Sequence, residues 1–304
     1  MIDFSRKYDR LFAIGCSFTS YNNWPTWAAA LSSELNIPVY NLGHSGASNK
    51  YIQSQLFLLD DAYKLTADDL VITQWTMHSR VSILGDSFYS DSYEWKHWGG
   101  DSFYSNSFKW KHWGDITDKN VKFSKKIQEE VDGISKFQTY NTLLLESQIA
   151  IKSSIVYQNT LPCTCINLQI QPMLKEEKLV NIRGKIMPSF VNILFPGYDT
   201  YSDVLDNRLE IHSEDSDLYS KYRKRNLLRQ AAKDKQKYDV HPLPTEHITY
   251  LEKVFEHQFS NQVKEYANHD EEKWFKNADS ATARDRDNTY YKLESLQQKI
   301  SLPG

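Results

Sequence analysis

Three polar turns near the start of the chain, and one far downstream, carry the side chains from which chemistry could be built. The first is Gly15-Cys16-Ser17-Phe18-Thr19, directly after the apolar run Leu11–Ile14. A serine hydroxyl is a weak nucleophile until a base takes its proton and a third group orients that base. The second turn is Asn41–Asn49, "NLGHSGASN". Its glycines let the backbone approach a bound molecule closely and offer N–H donors. The third is Thr73–Arg80, "TQWTMHSR", which carries Gln74, Thr76, His78 and Arg80. Far downstream, Asp239-Val240-His241-Pro242 brings an acid and an imidazole into one proline-bracketed loop. These residue types suit acyl transfer. Ser17 would attack, His241 would take the proton, Asp239 would orient the ring, and backbone N–H groups would hold the oxyanion. Two literal "GDS" strings, Gly85–Ser87 and Gly100–Ser102, follow no buried strand and precede no helix stripe, so Ser17 is the serine of interest.

The elements that must position these turns alternate. Leu11–Ile14 reads as a strand; Trp27, Leu31 and Leu35 form one helix face. Pro38–Gly43 reads as a second strand, Ile52, Leu56, Leu59 and Tyr63 as a second helix stripe, and Asp69–Trp75 as a third strand. Strand, helix, strand, helix, strand predicts an α/β fold with a mostly parallel sheet and covering helices. In such sheets ligands sit beyond the carboxyl ends of the strands. A serine on a tight strand-to-helix turn there would have the helix N-terminus at its back. Helix periodicity returns with Leu144, Gln148, Ile151 and Ile155. Ile166, Leu168 and Ile170 then alternate with polar residues in a strand, Thr164–Gln171. Ile248, Leu251, Val254, Phe255 and Phe259 make a last amphipathic helix, with Pro244 and Glu246 in its first turn.

Between these elements lie less regular segments. Residues 85–99 and 100–114 are a tandem duplication differing at three positions, "GDSFYSDSYEWKHWG" and "GDSFYSNSFKWKHWG". Two copies are too few for a solenoid, so the repeat is expected to be an insert, a hairpin pair on the third strand's exit loop. Its Trp95, Trp98, Trp110 and Trp113 suit either stacking on sugar rings or a small satellite core. The expected organisation is one domain over 1–266, with inserts at about 85–137 and 175–235, and a polar helical extension over 267–304.

Composition narrows the classes. The net charge of −3 over 304 residues offers no basic footprint for nucleic acid. The N-terminus lacks the apolar core of a signal peptide, and no stretch reaches the roughly 20 apolar residues of a membrane span. A cytoplasmic or virion-associated protein is expected, without nucleic-acid or membrane partners. Cys16, Cys163 and Cys165 are too few and too irregular for a disulfide framework or a zinc site; buried strand thiols are expected. His44 and His78 are expected as partly exposed turn residues, His247 as capping or packing in the first turn of the last helix, and Trp24 and Trp27 as core over the first helix. Arg80 suits either a substrate carboxylate or sugar hydroxyl, or a structural ion pair.

The order of "GCSFT", "WPTW", "NLGHSGASN", "QWTMHSR" and "DVHPLPTEH" resembles the SGNH (GDSL-type) hydrolases, in the branch carried by bacteriophages and marine microbes. The resemblance covers roughly residues 10–80 and 235–260. It implies a three-layer α/β/α, flavodoxin-like architecture and a triad of Ser17, His241 and Asp239, with Cys16 in place of the usual Asp. It implies Gly46 as the oxyanion glycine, with Asn49, Gln74, Thr76 and Arg80 as further oxyanion or binding residues, and no cofactor. The family's third block carries an Asn where this chain has Gln74-Trp75-Thr76-Met77, so Gln74 or Thr76 would donate instead. Its last block has two residues between Asp and His; here Val240 stands alone. The implied activity is hydrolysis of an ester, foremost an O-acetyl group on a carbohydrate. The other expectation is a binding or structural module that kept the fold and relaxed the chemistry, with virion proteins or further copies of itself as partners.

Overall fold

The computed structural model describes residues 2–20, 25–86, 108–115, 140–172, 186–201 and 241–278. Four short strands form one parallel sheet: β1 (Arg10–Ile14), β2 (Val39–Asn41), β3 (Asp69–Trp75) and β6 (Thr164–Gln169), in the order β2-β1-β3-β6. The chain therefore has α/β character. Parallel strands need crossover connections, and α1 (Trp27–Leu35), α2 (Asn49–Tyr63) and α3 (Tyr140–Gln158) lie between them in the chain. After β6 come a short α4 (Phe190–Leu194), α5 (Pro244–Phe255) and α6 (Asn261–Ala278). α6 runs straight across position 266.

The sheet is buried on both faces. Every residue of β3 is buried, including Thr73 and Gln74. These neighbours point to opposite faces, as alternate strand residues must. Thr73 Oγ1 accepts from Gln158 Nε2 of α3 at 3.4 Å, while Gln74 Oε1 accepts from Trp27 Nε1 of α1 at 3.0 Å. Residues Leu11 to Ile14 form a continuous apolar run because both of their faces are covered. In β6 the alternation of Ile166 and Leu168 with Asn167 and Gln169 hides the same fact: the polar pair is buried too. Asn167 resolves its burial by accepting from Trp75 Nε1 at 3.0 Å and exchanging bonds with Gln158.

Phe259 lies beyond α5, which ends at Phe255 and is followed by α6, and the expected elements recur with three further differences. Leu144 and Gln148 are only half-buried; the deep face of α3 is Leu143, Ser147, Ala150, Ile151, Ser154 and Ile155. The helix is apolar on its outer side as well, with Leu145, Ile149 and Val156 exposed, so hydrophobic spacing could not fix its phase. Cys163 and Cys165 are free but half-buried, their sulfurs 3.5 Å apart, and Cys163 precedes the strand. Third, β4 (Arg80–Asp86) begins before the duplicated segment and pairs antiparallel with β5 (Phe108–Asp115), joining the start of one copy to the end of the other. Of the second expected insert, 186–201 are described and pack Phe190, Val191 and Tyr201 into the core; the rest of both inserts, and 279–304, lie outside the described residues.

An ion pair and a histidine–carboxylate contact tie the ends together. Arg10 and Asp69 face each other in register across β1 and β3, bonded through Nε at 2.7 Å and Nη2 at 2.6 Å. At the other end, Glu34 of α1 meets His257 Nε2 at 2.9 Å and accepts from the Ser260 backbone N–H at 2.9 Å, clasping α1 to the α5–α6 connection. Burial pushes the Glu34 carboxyl up, but the bonds from His257 and Ser260 more than offset this and hold it below its ordinary value. An acid with a depressed folded pKa stabilises above its unfolded pKa of about 4.3 and loses that contribution as pH falls through the folded value. Glu34→Gln is therefore expected to lower stability by about 1 kcal/mol at neutral pH. The difference from wild type should shrink below about pH 4 in urea titrations across pH.

Candidate functional site

In a sheet of this order the crevice lies where strand order reverses, between β1 and β3 at their carboxyl ends. The Ser17 turn stands there. Thr19 N and Ser20 N donate to Cys16 O at 2.9 and 3.1 Å, and Phe18 N donates to Cys16 Sγ at 3.4 Å. The thiol thus takes the place an aspartate oxygen would hold in a side-chain-capped turn. Helix α1 begins only at Trp27, after Thr26, whose side chain makes no cap bond, so the expected helix N-terminus does not back Ser17; the turn's own backbone bonds shape it.

The second turn is hung on the first. Leu42 N donates to Ala13 O at 2.8 Å and His44 N to Gly15 O at 3.0 Å, continuing the parallel pairing past β2. Asn41 Nδ2 and Thr26 Oγ1 both donate to Thr19 O, at 2.8 and 2.6 Å. Gly43 is required by space: a Cβ there would lie 2.8 Å from Ser20 N and 2.9 Å from Thr19 Cβ. Gly46 has φ 75°, the left-handed region that glycine adopts without penalty. Ser48 then caps α2, its Oγ accepting from Tyr51 N.

The third turn is shorter than the sequence suggested. Gln74 lies inside β3 and Arg80 opens β4, leaving Thr76–Ser79 as the turn. Gln74 Oε1 accepts from both Thr19 Oγ1 and Trp27 Nε1 at 3.0 Å. An indole N–H can only donate, so the amide is oriented and its Nε2 is the remaining donor. That Nε2 is buried with no hydrogen-bond partner, as is Thr76 Oγ1. Asn49 spends both ends of its amide on the backbone of Thr76, at 2.9 and 3.0 Å, fixing the β3 exit to the start of α2. His78 is not a partly exposed turn residue but is buried, its Nδ1 3.4 Å from Gln171 Nε2. Gln171 Oε1 in turn accepts from Tyr201 N at 3.4 Å.

His241 arrives from the far end of the chain. It is half-buried just before α5, whose start is fixed by Pro244 and by Leu243 N donating to Glu246 Oε2 at 2.9 Å. Its ring stands edge-on to Phe18, with centroids 5.5 Å apart. Phe18 is fully buried against Tyr201 and Phe190, so the ring next to Ser17 is a fixed wall. Ser17 is itself 3% exposed and has no hydrogen-bond partner among the described residues; no bond joins it to His241. Asp239 lies outside the described residues. His247 is buried in α5 against Phe190, as its packing role requires.

Ser17, Gly46, Thr76 and His241 therefore stand in loops, with Gln74 next to the end of β3 and Asn49 at the start of α2. What sequence reading missed is the scaffold beneath them: Thr19 and Trp27 holding Gln74, and Gln171 with Tyr201 holding His78. Trp27 reads as plain core in a hydrophobic stripe, and only its lone N–H hinted at a polar partner. Among the described residues, no group of three or more His, Cys, Asp or Glu side chains could hold a metal ion. No helix among them is long and apolar enough to cross a membrane. No family model matches the chain, and no curated protein matches it.

Proposed function

We propose that the chain is a serine ester hydrolase of SGNH type, built as a three-layer α/β/α domain and acting on an O-acetyl group of a carbohydrate. The observation that carries this reading is the meeting of two distant segments. Ser17 sits on the β1 exit turn, and the His241 ring packs against Phe18, its immediate neighbour. Ser17 Oγ attacks the acetyl carbonyl carbon and its proton passes to His241. The tetrahedral oxyanion is held by the N–H groups of Ser17 and Gly46 and by the free donor of Gln74. Collapse breaks the ester C–O bond, and His241 returns the proton to the departing sugar hydroxyl. Water then repeats the sequence on acetyl-Ser17, releasing acetate and restoring the serine. Asp239 orients the His241 ring. The scheme calls on no metal or organic cofactor.

Gln74→Glu tests the oxyanion assignment. It keeps an oxygen to accept from Trp27 and Thr19 but replaces the Nε2 donor with a second oxygen. Turnover of 4-nitrophenyl acetate is expected to fall by about 10²–10³-fold, mostly in kcat, the cost of losing one oxyanion donor. Unchanged kcat in a folded variant would remove Gln74 from the site. A second reading, a non-catalytic binding module on the same scaffold, is favoured by one feature: Ser17 and His241 are not hydrogen-bonded. Catalytic bonds are often loose in the free enzyme, so this reading stands second.

A further inference from the structure

Arg80 is 8% exposed, and its Nε and Nη1 are buried with no hydrogen-bond partner. A guanidinium stays charged at any pH a protein survives, and leaving two of its nitrogens buried without a partner is costly. No carboxylate among the described side chains, which do not include that of Asp115, pairs with it. The same short stretch holds two further buried groups without a hydrogen-bond partner, Gln74 Nε2 and Thr76 Oγ1. Arg80 follows the β3 exit, where Asn49 clamps Thr76, and precedes Ser82, whose Oγ accepts from Ser48 N at 3.0 Å. Both ties run to the start of α2, beside Gly46. A register irregularity in the ladder falls between Arg80 and Val81, and bulges beside sites re-aim side chains.

We infer that Arg80 is a substrate-binding residue that reads an oxyanion on the sugar, so that the preferred ligand is an acidic carbohydrate. This deepens the proposed ester hydrolysis by naming its substrate class, and rests on that reading only for where the acyl group sits. The planar guanidinium matches carboxylate, sulfate and phosphate oxygens alike.

The test reads binding, not turnover. Full-length Ser17→Ala protein is titrated calorimetrically with methyl glucuronide, a methyl glucoside sulfate and neutral methyl glucoside. The expected result is about 10- to 100-fold tighter binding of one anionic sugar than of the neutral one, the scale of one charged hydrogen-bond set. Arg80→Met, on the same background, should abolish that preference and melt at or above the parent temperature, because it removes an unmatched charge. The glucuronide and sulfate arms identify which oxyanion is read. Equal binding of charged and neutral sugars would overturn the inference. So would an Arg80→Met protein that melts well below its parent, with Asp115→Asn reproducing the loss. Asp115 stands opposite Arg80 in the ladder, and that outcome would make Arg80 half of a structural ion pair. A wild-type protein that hydrolyses no ester, beside a Ser17→Ala protein whose charge preference is intact, would sink the hydrolase reading and leave the anion site standing.

Discussion

Ser17→Ala is expected to lower kcat/KM for short acyl esters by on the order of 10⁴-fold or more, with no loss of stability. The two halves of this result have separate causes. Ser17 Oγ has no hydrogen-bond partner among the described residues, so deleting it leaves nothing behind unsatisfied and removes a buried hydroxyl that gains little from folding. The activity loss follows from the absence of the attacking atom, and what remains is the contribution of the oxyanion donors alone. His241→Ala should cost a similar factor in rate. It should also cost about 1 kcal/mol of stability, because its ring packs edge-on to Phe18. The double variant should be no slower than the worse single one, since nucleophile and base act as a unit. Chemical denaturation and steady-state kinetics on the three variants check each part. Additive losses would show that the two residues do not share a step.

Gly43→Ala is expected to destabilise the fold by about 2–3 kcal/mol, at the upper end for overpacking. The added Cβ would press on Ser20 N at 2.8 Å and on the Cβ atoms of Ser20 and Thr19 at 2.9 Å. Backbone cannot step aside as the tip of a lysine can, so the whole Asn41–Asn49 loop must move away from the Ser17 turn. The loop carries Gly46, whose N–H is assigned to the oxyanion, and a displacement of about 1 Å at such a donor can cost about 10²-fold in rate. Urea melts give the first effect. Turnover at a temperature where the variant is fully folded gives the second. A variant with wild-type stability and rate would mean that these loops are not stitched together as described.

How far the sequence carries the account can be judged at particular residues. β1, β3, α2 and α5 were legible because their apolar spacing has one solution: a run buried on both sides, or a single stripe. The phase of α3 was not, because Leu145, Ile149 and Val156 supply a second stripe that faces outward. β4 was hidden by the duplication that begins inside it. At the candidate site, the residues of the polar turns could be named from turn chemistry, but not what holds them. Whether His78 is exposed, or Arg80 paired, depends on contacts with segments distant in sequence, and no local spacing encodes those. The meeting of Phe18 with His241 is of the same kind.

The most direct test of the central claim is covalent labelling of the full chain with a fluorophosphonate, followed by peptide mass spectrometry. Such probes phosphonylate only a serine whose proton is taken by a nearby base. A single adduct on Ser17, absent from the Ser17→Ala protein and strongly slowed in His241→Ala, is the result the account predicts. A folded protein that takes no label, or takes it at Ser87 or Ser102 of the duplicated segment, would contradict it.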